Sequence, residues 1–467
     1  MRKFLLSFIV LTGFYPVVRA ESFQVDGLYY EINENVTGSV NLVAPPIDDP
    51  TYIGEIVVPE FVEYENSTFQ VTGVKEYAFA FSSELLSVSF PSSITSLGRN
   101  TFSGCENLQS VVLPEALTEL PLYAFNSCSS LEEIALPEGI SSIADYAFNS
   151  CSGLKKVELP SGLSSIGNGV FNGCFSLEDI TLPSGLQHIG NNAFNQCSSL
   201  ESLLLPESLT EIPEGLFRDC SSLKEMDFPP SVVSIGNASF RNCYSLEKIV
   251  LPASIEEIGP HAFELCVNLS QIEFNSEKLI IEEYAFSGCS SLENALLNGT
   301  VEIKGYAFEN NDALSTVVFP SELHSIGNNA FANSRNITSV YSHAEIPPYL
   351  PKNAFENIVY VQATLFVVKD LLQLYRQTPA WSLFVNVEDT MTDDGVEDVL
   401  SDNLQISVAN NAITVQGLLS ESNYVIYNLT GQVVSKGLIA DGQNIEGLAN
   451  GSLYILFIDG KSFKVSF

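Results

Sequence analysis

Apolar residues recur through the middle of the chain in a unit of 23 residues. Within one unit, Ile180 and Leu182 alternate with polar residues, which predicts a short strand with one buried face. Pro183 follows directly and lacks the N–H that a parallel ladder needs, so it should end the strand. Leu186 and Ile189 then predict an extended return segment. The remaining apolar residues are three apart and predict one tight helical turn on the outer side: Phe194, Cys197 and Leu200.

Three columns of this unit keep the same period. The cysteines from Cys105 to Cys289, the phenylalanines from Phe79 to Phe286 and the prolines from Pro91 to Pro252 are each spaced by 23 residues. The unit can be written LxxIxLPxxLxxIGxxAFxxCxx, in about twelve copies. A leucine-rich period of roughly 20–29 residues predicts a solenoid whose coils bury their cores against each other. Strands and outer helical turns together predict an α/β leucine-rich repeat solenoid.

The column of Gly190 is not uniform, since Pro121, Ala144 and Pro213 occupy it in other copies. Proline fixes a negative φ, so this column does not require a left-handed backbone. We therefore expect glycine here to relieve crowding between neighbouring coils.

The copies that begin at Leu269 and Leu292 depart from the unit. Asn275 and Asn298 replace the proline, and the second of these copies is one residue short. We expect an irregularity in this part of the array.

The chain is strongly acidic. It carries 20 Lys and Arg against 56 Asp and Glu, a formal net charge of −36. Such a surface repels phosphate backbones and anionic headgroups, so we expect neither nucleic-acid binding nor electrostatic membrane docking. Because 45% of the residues are hydrophobic and only 16% are charged, the chain should fold and not remain disordered.

Nine cysteines in an exported chain could form a disulfide framework. The count is odd, however, and coils about 4.7–4.9 Å apart hold parallel Cβ atoms beyond the roughly 3.5–4.5 Å that a disulfide needs. The column also passes into Ser82, Asn311 and Ser334, which indicates a need for a small, weakly polar side chain. We therefore expect buried free thiols. No histidine joins the column, so we expect no metal site and no cofactor.

Residues 1–20 have the pattern of an export signal. A basic start precedes the apolar stretch Phe4–Phe14, and Ala20 ends a small-x-small cleavage site before Glu21. Tyr15 and Pro16 interrupt the apolar stretch before the roughly 20 residues that a membrane span needs, and no later segment is long and apolar enough. We expect cleavage between Ala20 and Glu21, and an exported protein that is secreted or held at a surface by something other than a membrane helix.

The ends of the array lack the repeat and should close its core. Short strand patterns predict an N-terminal β cap over residues 21–72, before the repeats of residues 73–338. Residues 339–389 predict a C-terminal cap, with a strand at 364–368 and a helix at 370–375.

Two further segments follow the caps. Residues 390–403 are acidic and turn-rich, which predicts a linker. Short alternating strands with turn dipeptides over residues 404–467 predict a small C-terminal β-sandwich.

The signature LPxxLxxIGxxAFxxC, over roughly Val74–Thr338, resembles the BspA-like leucine-rich repeat family of secreted and surface bacterial proteins. This resemblance implies a curved right-handed superhelix and a role in binding host or bacterial proteins. The tail resembles the C-terminal sorting domains of type IX secretion in three stretches, although it lacks their Asn-Pro start motif. These stretches are Val425-Ile426-Tyr427-Asn428, Gly431-Gln432-Val433-Val434 and the final Gly460–Val465.

Strand residues that face away from the core should line the concave surface, where such solenoids usually bind partners. Lys224-Glu225 lies beside Glu247-Lys248 on the next copy, which predicts either a cross-strand charge ladder or a charged stripe that selects a partner. The column before the last inward leucine continues to Val318 and predicts an apolar strip, with Tyr341 as its only aromatic residue. The candidate partner-binding residues are Val112, Leu204, Lys224, Glu225, Glu247, Lys248, Val250 and Leu296.

No arrangement of residues in the sequence favours catalysis. His188 and His324 lie at variable outer positions of different copies, and no GxSxG motif, HExxH motif or phosphate-binding glycine loop occurs. We expect a monomeric, non-catalytic protein-binding surface or secreted adhesin, whose partner is host extracellular matrix or another bacterial surface protein. A glycan-binding accessory protein and a passive structural spacer are the alternatives.

Overall fold

The structure is a computed structural model that describes residues 22–391 and, beyond them, the segments 405–409, 412–416, 422–428, 433–440, 443–446, 448, 453–458 and 461–466. The expected export signal, with Ala20 and Glu21, and most of the expected linker lie outside the described residues. The chain forms two compact units. The first comprises the described residues up to Leu365 together with Leu374–Val387, and the second comprises Phe366–Gln373 and the described residues from Glu388 onward.

Six strands form the N-terminal cap. Five of them make a sheet in the order β1-β2-β3-β6-β5. The remaining strand, β4, pairs in parallel with β7 in the first complete repeat, so the solenoid begins inside the expected cap. The strands are β1 (Phe23–Val25), β2 (Leu28–Ile32), β3 (Ser39–Val43), β4 (Gly54–Val57), β5 (Phe61–Tyr64), β6 (Ser67–Val74) and β7 (Leu85–Ser89).

One strand in most coils builds a surface that we call the first strand face. Its strands form several parallel sheets, and most paired strands are 23 residues apart, as Ile134 and Val157 are, because the repeat fixes the register. After β4 and β7 its strands are β8 (Ser110–Val112), β10 (Glu133–Ala135), β12 (Lys156–Glu158), β14 (Asp179–Ile180), β17 (Glu225–Asp227), β19 (Lys248–Val250), β21 (Gln271–Glu273), β23 (Asn294–Leu296), β25 (Thr316–Phe319) and β27 (Ser339–Ser342).

The return segments build a second parallel surface, the second strand face. Each strand ends in a buried isoleucine or leucine, such as Ile143 or Ile166, that belongs to the core. The strands are β9 (Glu119–Leu120), β11 (Ser142–Ile143), β13 (Ser165–Ile166), β15 (His188–Ile189), β16 (Glu211–Ile212), β18 (Ser234–Ile235), β20 (Glu257–Ile258), β22 (Leu279–Ile281), β24 (Thr300–Ile303) and β26 (Ser325–Ile326).

The outer side of each coil consists of successive hydrogen-bonded turns. Cys197 N–H donates to Phe194 O at 3.2 Å, and Leu200 N–H donates to Cys197 O at 3.1 Å. The expected leucine-rich repeat solenoid is confirmed, and it is mostly β because these turns do not continue into helices. Two residues per coil interrupt them with left-handed backbones, as Asn192 (φ 56°) and Gln196 (φ 62°) do on either side of Phe194.

A stack of phenylalanine rings fills the core from Phe79 to Phe355. Successive ring centroids lie 4.8–5.9 Å apart, and successive rings are within 26° of parallel. Such pairs stabilise a fold by about 0.5–1.5 kcal/mol beyond the burial of their area. The stack extends through the segment after Thr338, so Phe355 belongs to the last coil.

The glycine column relieves crowding, as expected. A Cβ on Gly190 would lie 2.5 Å from Asn168 N in the preceding coil, and Gly190 is not left-handed. The left-handed positions come two and six residues later, in columns that also contain asparagine and glycine. The first column comprises Tyr77, Asn100, Tyr123, Tyr146, Gly169, Asn192, Gly215, Ala238, His261, Tyr284, Tyr306 and Asn329.

The irregularity expected near Asn275 and Asn298 is present. The pairing of β22 with β24 shifts register between Leu279 and Ile280. Gly299 has a φ of 70°, and a Cβ there would lie 1.8 Å from Ser276 O. The shortened copy therefore depends on glycine at this position.

A missing hydrogen bond interrupts the second strand face. Gly236 N–H donates to Ile212 O at 2.8 Å, and most coils repeat this bond. Pro213 has no N–H to donate to Ile189 O, and the sheet stops between β15 and β16. Pro121 occupies the same column next to β9, where this sheet begins. Two prolines in the glycine column thus delimit one sheet of the second strand face.

The first strand face is interrupted at the same coil. Residues 201–205 form no strand, although they lie between β14 and β17. The ring centroids of Phe194 and Phe217 are 5.9 Å apart, the largest separation in the phenylalanine stack. A seam with fewer inter-coil hydrogen bonds therefore crosses the solenoid at Pro213.

Amide hydrogen exchange should be fast at this seam. Leu251 N–H donates to Glu273 O at 3.0 Å, whereas the equivalent Leu205 N–H has no backbone acceptor among the described residues. We expect the Leu205 amide to exchange at least tenfold faster than the Leu251 amide, which corresponds to about 1.4 kcal/mol less free energy of opening. Exchange measured by mass spectrometry on the full chain checks this, and equal protection at the two leucines would contradict the seam.

The C-terminal cap closes the other end of the solenoid. Trp381 is fully buried, and its Nε1–H donates to Pro348 O at 2.8 Å. The expected strand and helix are present, while β29 includes Thr390 and Met391, which were expected in the linker. The elements are α1 (Asn357–Gln362), β28 (Thr364–Val368), α2 (Leu372–Gln377), a 3-10 helix (Trp381–Leu383) and β29 (Asn386–Met391).

The described C-terminal strands form two sheets, in the orders β30-β31-β34 and β33-β32-β35-β36. All of their pairs are antiparallel. Residues of both sheets, including Ile413 and Leu456, share one buried cluster, as a sandwich requires. The strands are β30 (Gln405–Ala409), β31 (Ala412–Gln416), β32 (Ser422–Asn428), β33 (Val433–Ile439), β34 (Asn444–Glu446), β35 (Leu453–Ile458) and β36 (Lys461–Ser466).

Candidate partner-binding face

The alternation of the strands decides which side chains the first strand face exposes. In β17 and β19 the central residues Met226 and Ile249 are buried, and the residues on either side face outward. Leu204 is 78% exposed, Val112 is 60% exposed and Val250 is 41% exposed. Three of the four apolar candidates are therefore accessible to a partner.

The expected apolar strip is shorter and less continuous than the sequence pattern indicates. Leu296 is only half-buried, and Val318 is 1% exposed, so the strip ends before the last coils. Asp227 lies directly opposite Val250 in the ladder and occupies the position between Val250 and Leu204. Apolar and acidic side chains alternate here, because the column changes residue type from coil to coil.

The charged candidates form ion pairs, but with other neighbours than expected. Lys224 Nζ lies 2.7 Å from Glu201 Oε2 in the preceding coil, not at Glu247. Lys248 Nζ lies 2.6 Å from Glu273 Oε1 in the following coil, although Glu225 is its register partner. Each lysine has an acid on both sides, and the packing of its own strand decides which acid it reaches.

The other two lysines of the face are paired as well. Lys155 Nζ lies 2.8 Å from Glu132 Oε2, and the hydrogen bond to Glu132 raises the pKa of Lys155. Lys156 Nζ lies 3.1 Å from Glu158 Oε1 and 3.9 Å from Asp179 Oδ2. All of these pairs are exposed, so salt should screen them.

The structure brings most of the candidate residues into one patch. Lys224 and the residues of β17 and β19 occupy adjacent coils, and Leu204 occupies the coil before them. Val112 lies four coils from Leu204, roughly 19 Å away at about 4.8 Å per coil, and belongs to a different part of the face. Leu296 is two coils beyond Val250 and is also separate from the patch.

The cysteine column is buried and free, as expected. Each thiol donates to the carbonyl oxygen of the phenylalanine 26 residues earlier, with Sγ–O distances of 3.0–3.3 Å. The column changes residue type at its end but keeps the bond: Ser334 Oγ donates to Phe308 O at 2.8 Å, and Asn311 Nδ2 donates to Phe286 O at 3.1 Å. The column therefore requires a small hydrogen-bond donor.

Burial makes these thiols poor nucleophiles. Desolvation raises the pKa of Cys105 to about 12 and raises the pKa of Cys197 well above its ordinary value. The thiolate, which is the reactive form, is therefore disfavoured. Among the described residues no group of three His, Cys, Asp or Glu side chains is placed to hold a metal ion.

The outer side carries ladders of polar and aromatic side chains that the sequence analysis did not identify. Tyr123 stacks on Tyr146 with ring centroids 5.1 Å apart, and Tyr284 lies between His261 and Tyr306 at 5.0 and 4.8 Å. Asparagine amides bond from coil to coil at 2.6–2.7 Å along Asn126, Asn149, Asn172 and Asn195. The 23-residue spacing of these columns was the signal that could have identified them.

The repeat region matches a known family. Residues 62–156, 141–269 and 233–362 match the BspA type leucine rich repeat region, in six copies. The chain belongs to this family. The matched residues include the first strand face from β7 onward and the whole candidate patch, so the patch is part of the repeat architecture itself.

Two solved structures share the fold, and a third matches less closely. A leucine-rich repeat protein from Bacteroides ovatus is 24% identical, with 79% of this chain and 98% of that chain covered and a TM-score of 0.62. The pneumococcal vaccine antigen PcpA is 18% identical, with coverages of 80% and 98% and a TM-score of 0.53. A leucine rich cell surface protein from Faecalibacterium prausnitzii is 23% identical, with coverages of 69% and 95% and a TM-score of 0.48. No curated protein matches the chain.

The described residues of this BspA-type repeat protein include only short helices. None of the helices there is long and apolar enough to cross a bilayer. BspA-type repeat proteins are typically found at the bacterial cell surface and typically contact other proteins.

Proposed function

We propose that the chain is an exported, non-catalytic scaffold and that the first strand face around Leu204 and Val250 docks another protein. The exposure of Leu204 carries this proposal, since a leucine that is 78% exposed gains free energy when a partner covers it. Charged side chains surround it, so apolar contact and polar selectivity combine in one patch.

The surroundings of the patch support docking. The parallel ladder between β17 and β19 and between β19 and β21 fixes the backbone on both sides of Val250. This ordered part of the patch loses little conformational entropy when a partner binds. The partner we propose is a protein of the host extracellular matrix or of another bacterial surface, bound by a monomer on the face expected to be concave.

Residues 1–20 and the C-terminal sheets support export in the same proposal. Residues 1–20 have the pattern of a signal peptide with cleavage after Ala20. The C-terminal unit, with its resemblance to type IX sorting domains, would direct the exported chain to the cell surface.

The aromatic ladders do not favour the glycan-binding alternative. A sugar ring stacks on the face of an aromatic ring, but neighbouring rings cover one face each of Tyr123, Tyr146 and Tyr306 and both faces of Tyr284. No observation on the described residues favours this alternative or the passive spacer over protein docking.

Substituting the two exposed apolar residues tests the proposal. The Leu204→Glu/Val250→Glu double variant should lose at least tenfold in affinity for captured proteins, because each carboxylate places a charge in the apolar contact. The full chain is probed against an array of extracellular-matrix and bacterial surface proteins, with a glycan array in parallel. The midpoint of chemical unfolding should not change, since both side chains are exposed.

A matched control lies on the second strand face, in the coil of Leu204 and in the coil between Leu204 and Val250. The Thr210→Glu/Val233→Glu double variant adds the same two charges at exposed positions, one of them also an exposed valine. It should leave binding within twofold of the parent chain. If this control abolishes binding while the first-face variant binds normally, the docking surface is not the first strand face.

A further inference from the structure

Within the described residues of the first strand face, the lysines are all paired, whereas several carboxylates are not. Each of its four lysines is held by a carboxylate of the same face, at 2.6–3.1 Å for the shortest contact of each. None of these lysines is available as an unpaired cation for an anionic partner. Only the carboxylates are in excess.

The excess lies beside the exposed leucine. Among the described residues no cation is within 4.0 Å of the carboxylates of Glu225, Asp227 or Glu247. All three side chains are exposed: Glu225 and Asp227 are the two outward-facing residues of β17, and Glu247 directly precedes β19. Lys248 is the register partner of Glu225, and Lys224 directly precedes Glu225, but these lysines reach Glu273 and Glu201 instead. The patch therefore keeps a net negative charge that a partner's cation can neutralise.

The apolar residues of the patch restrict which ligand can bind it. Leu204 and Val250 occupy equivalent positions two coils apart, roughly 9.6 Å, and Asp227 occupies the same position between them. A ligand that satisfies this row must present a cation between two apolar groups. A free metal ion would leave Leu204 exposed, and a purely apolar segment would bury Asp227 without a partner, which is costly.

We propose that the patch of Leu204, Glu225, Asp227, Glu247 and Val250 binds a polypeptide segment in which lysine or arginine alternates with apolar side chains. This inference rests on the proposed docking function and names the chemical class of its partner. The partner's cations contact the unpaired carboxylates, and its apolar side chains cover Leu204 and Val250. The net charge of −36 on the chain speeds the encounter with such a segment.

Two synthetic peptides of twelve residues test the inference on the full chain. One alternates lysine with valine, and its counterpart alternates glutamate with valine. Titration calorimetry at physiological salt should give at least tenfold tighter binding of the lysine peptide. Equal or tighter binding of the glutamate peptide would overturn the inference.

Matched triple variants separate the patch from the bulk charge of the chain. The first-face triple variant, Glu225→Gln/Asp227→Asn/Glu247→Gln, should bind the lysine peptide at least tenfold more weakly than the parent chain. Glu119→Gln/Glu211→Gln/Glu257→Gln removes the same charge from exposed positions of the second strand face and should change binding less than twofold. Equal losses in the two variants would show attraction to the overall charge only, and the inference would be wrong.

The outcomes also distinguish this inference from the proposed function. If Leu204→Glu/Val250→Glu abolishes protein capture while the first-face triple variant captures normally, docking stands and the cationic partner class fails. If neither set of substitutions affects capture, the docking function itself fails.

Discussion

Raising the pH from 8 to about 11 is expected to unfold the solenoid. Burial raises the pKa of eight thiols, to about 12 for Cys105 and well above the ordinary value for others such as Cys197 and Cys243. In the unfolded chain the same thiols ionise near pH 8.5. Above that pH the unfolded chain binds fewer protons than the folded chain, so the free energy of unfolding falls as the pH rises.

The size of this effect follows from the number of thiols. Each one lowers the free energy of unfolding by about 1.4 kcal/mol for every pH unit above about 8.5. Eight of them together exceed a typical stability of about 5–15 kcal/mol within about one to two pH units. Below pH 8 the thiols are protonated in both states, and their contribution is fully retained.

Urea unfolding at pH 8, 9 and 10 measures the effect. The Cys197→Ser/Cys220→Ser variant is the control, because Ser334 shows that a hydroxyl at this position can donate to the same carbonyl acceptor. This variant lacks two of the buried thiols, so unfolding above about pH 8.5 should release about two fewer protons than in the parent chain. The free energy of unfolding should therefore fall less steeply with pH. An unfolding midpoint that is the same at pH 8 and pH 10 in the parent chain would contradict the prediction.

Phe194→Ala should cost about 3–5 kcal/mol of stability. The ring is fully buried and stacks between Phe171 and Phe217, at centroid distances of 5.4 and 5.9 Å. Backbone bonds from coil to coil, such as Phe194 N–H to Leu216 O at 3.0 Å, limit the collapse of the cavity. The substitution therefore removes both the transfer free energy of the ring and its contacts with two neighbours.

Phe175→Ala is the matched control for this loss. Phe175 lies on the outer side of the preceding coil and is 48% exposed, so the same chemical change should cost far less there. Chemical denaturation of the two variants checks the comparison. A loss below about 1 kcal/mol at Phe194, or equal losses at both sites, would show that the phenylalanine stack does not carry the core.

The sequence predicts the parts of the fold that depend on local period. A 23-residue repeat places equivalent residues side by side, so the register of both strand faces, the phenylalanine stack and the free thiols could be inferred without the structure. The exposure of Leu204 and Val250 follows from alternation along the strand for the same reason. Turn geometry is harder to infer, because a bulky residue such as tyrosine rarely adopts the left-handed backbone that Tyr123 has here.

Only the tertiary structure decided two features: which of two neighbouring acids each lysine contacts, and which residues are buried near the end of the solenoid. Lys224 and Lys248 each have an acid on both adjacent coils, and only side-chain packing selects Glu201 and Glu273. Val318 fits the exposed column by pattern but is buried in the last coils. Sequence alone thus determined the repeat and its core, because their contacts recur every 23 residues, while the unpaired carboxylates beside Leu204 depend on contacts that differ from coil to coil.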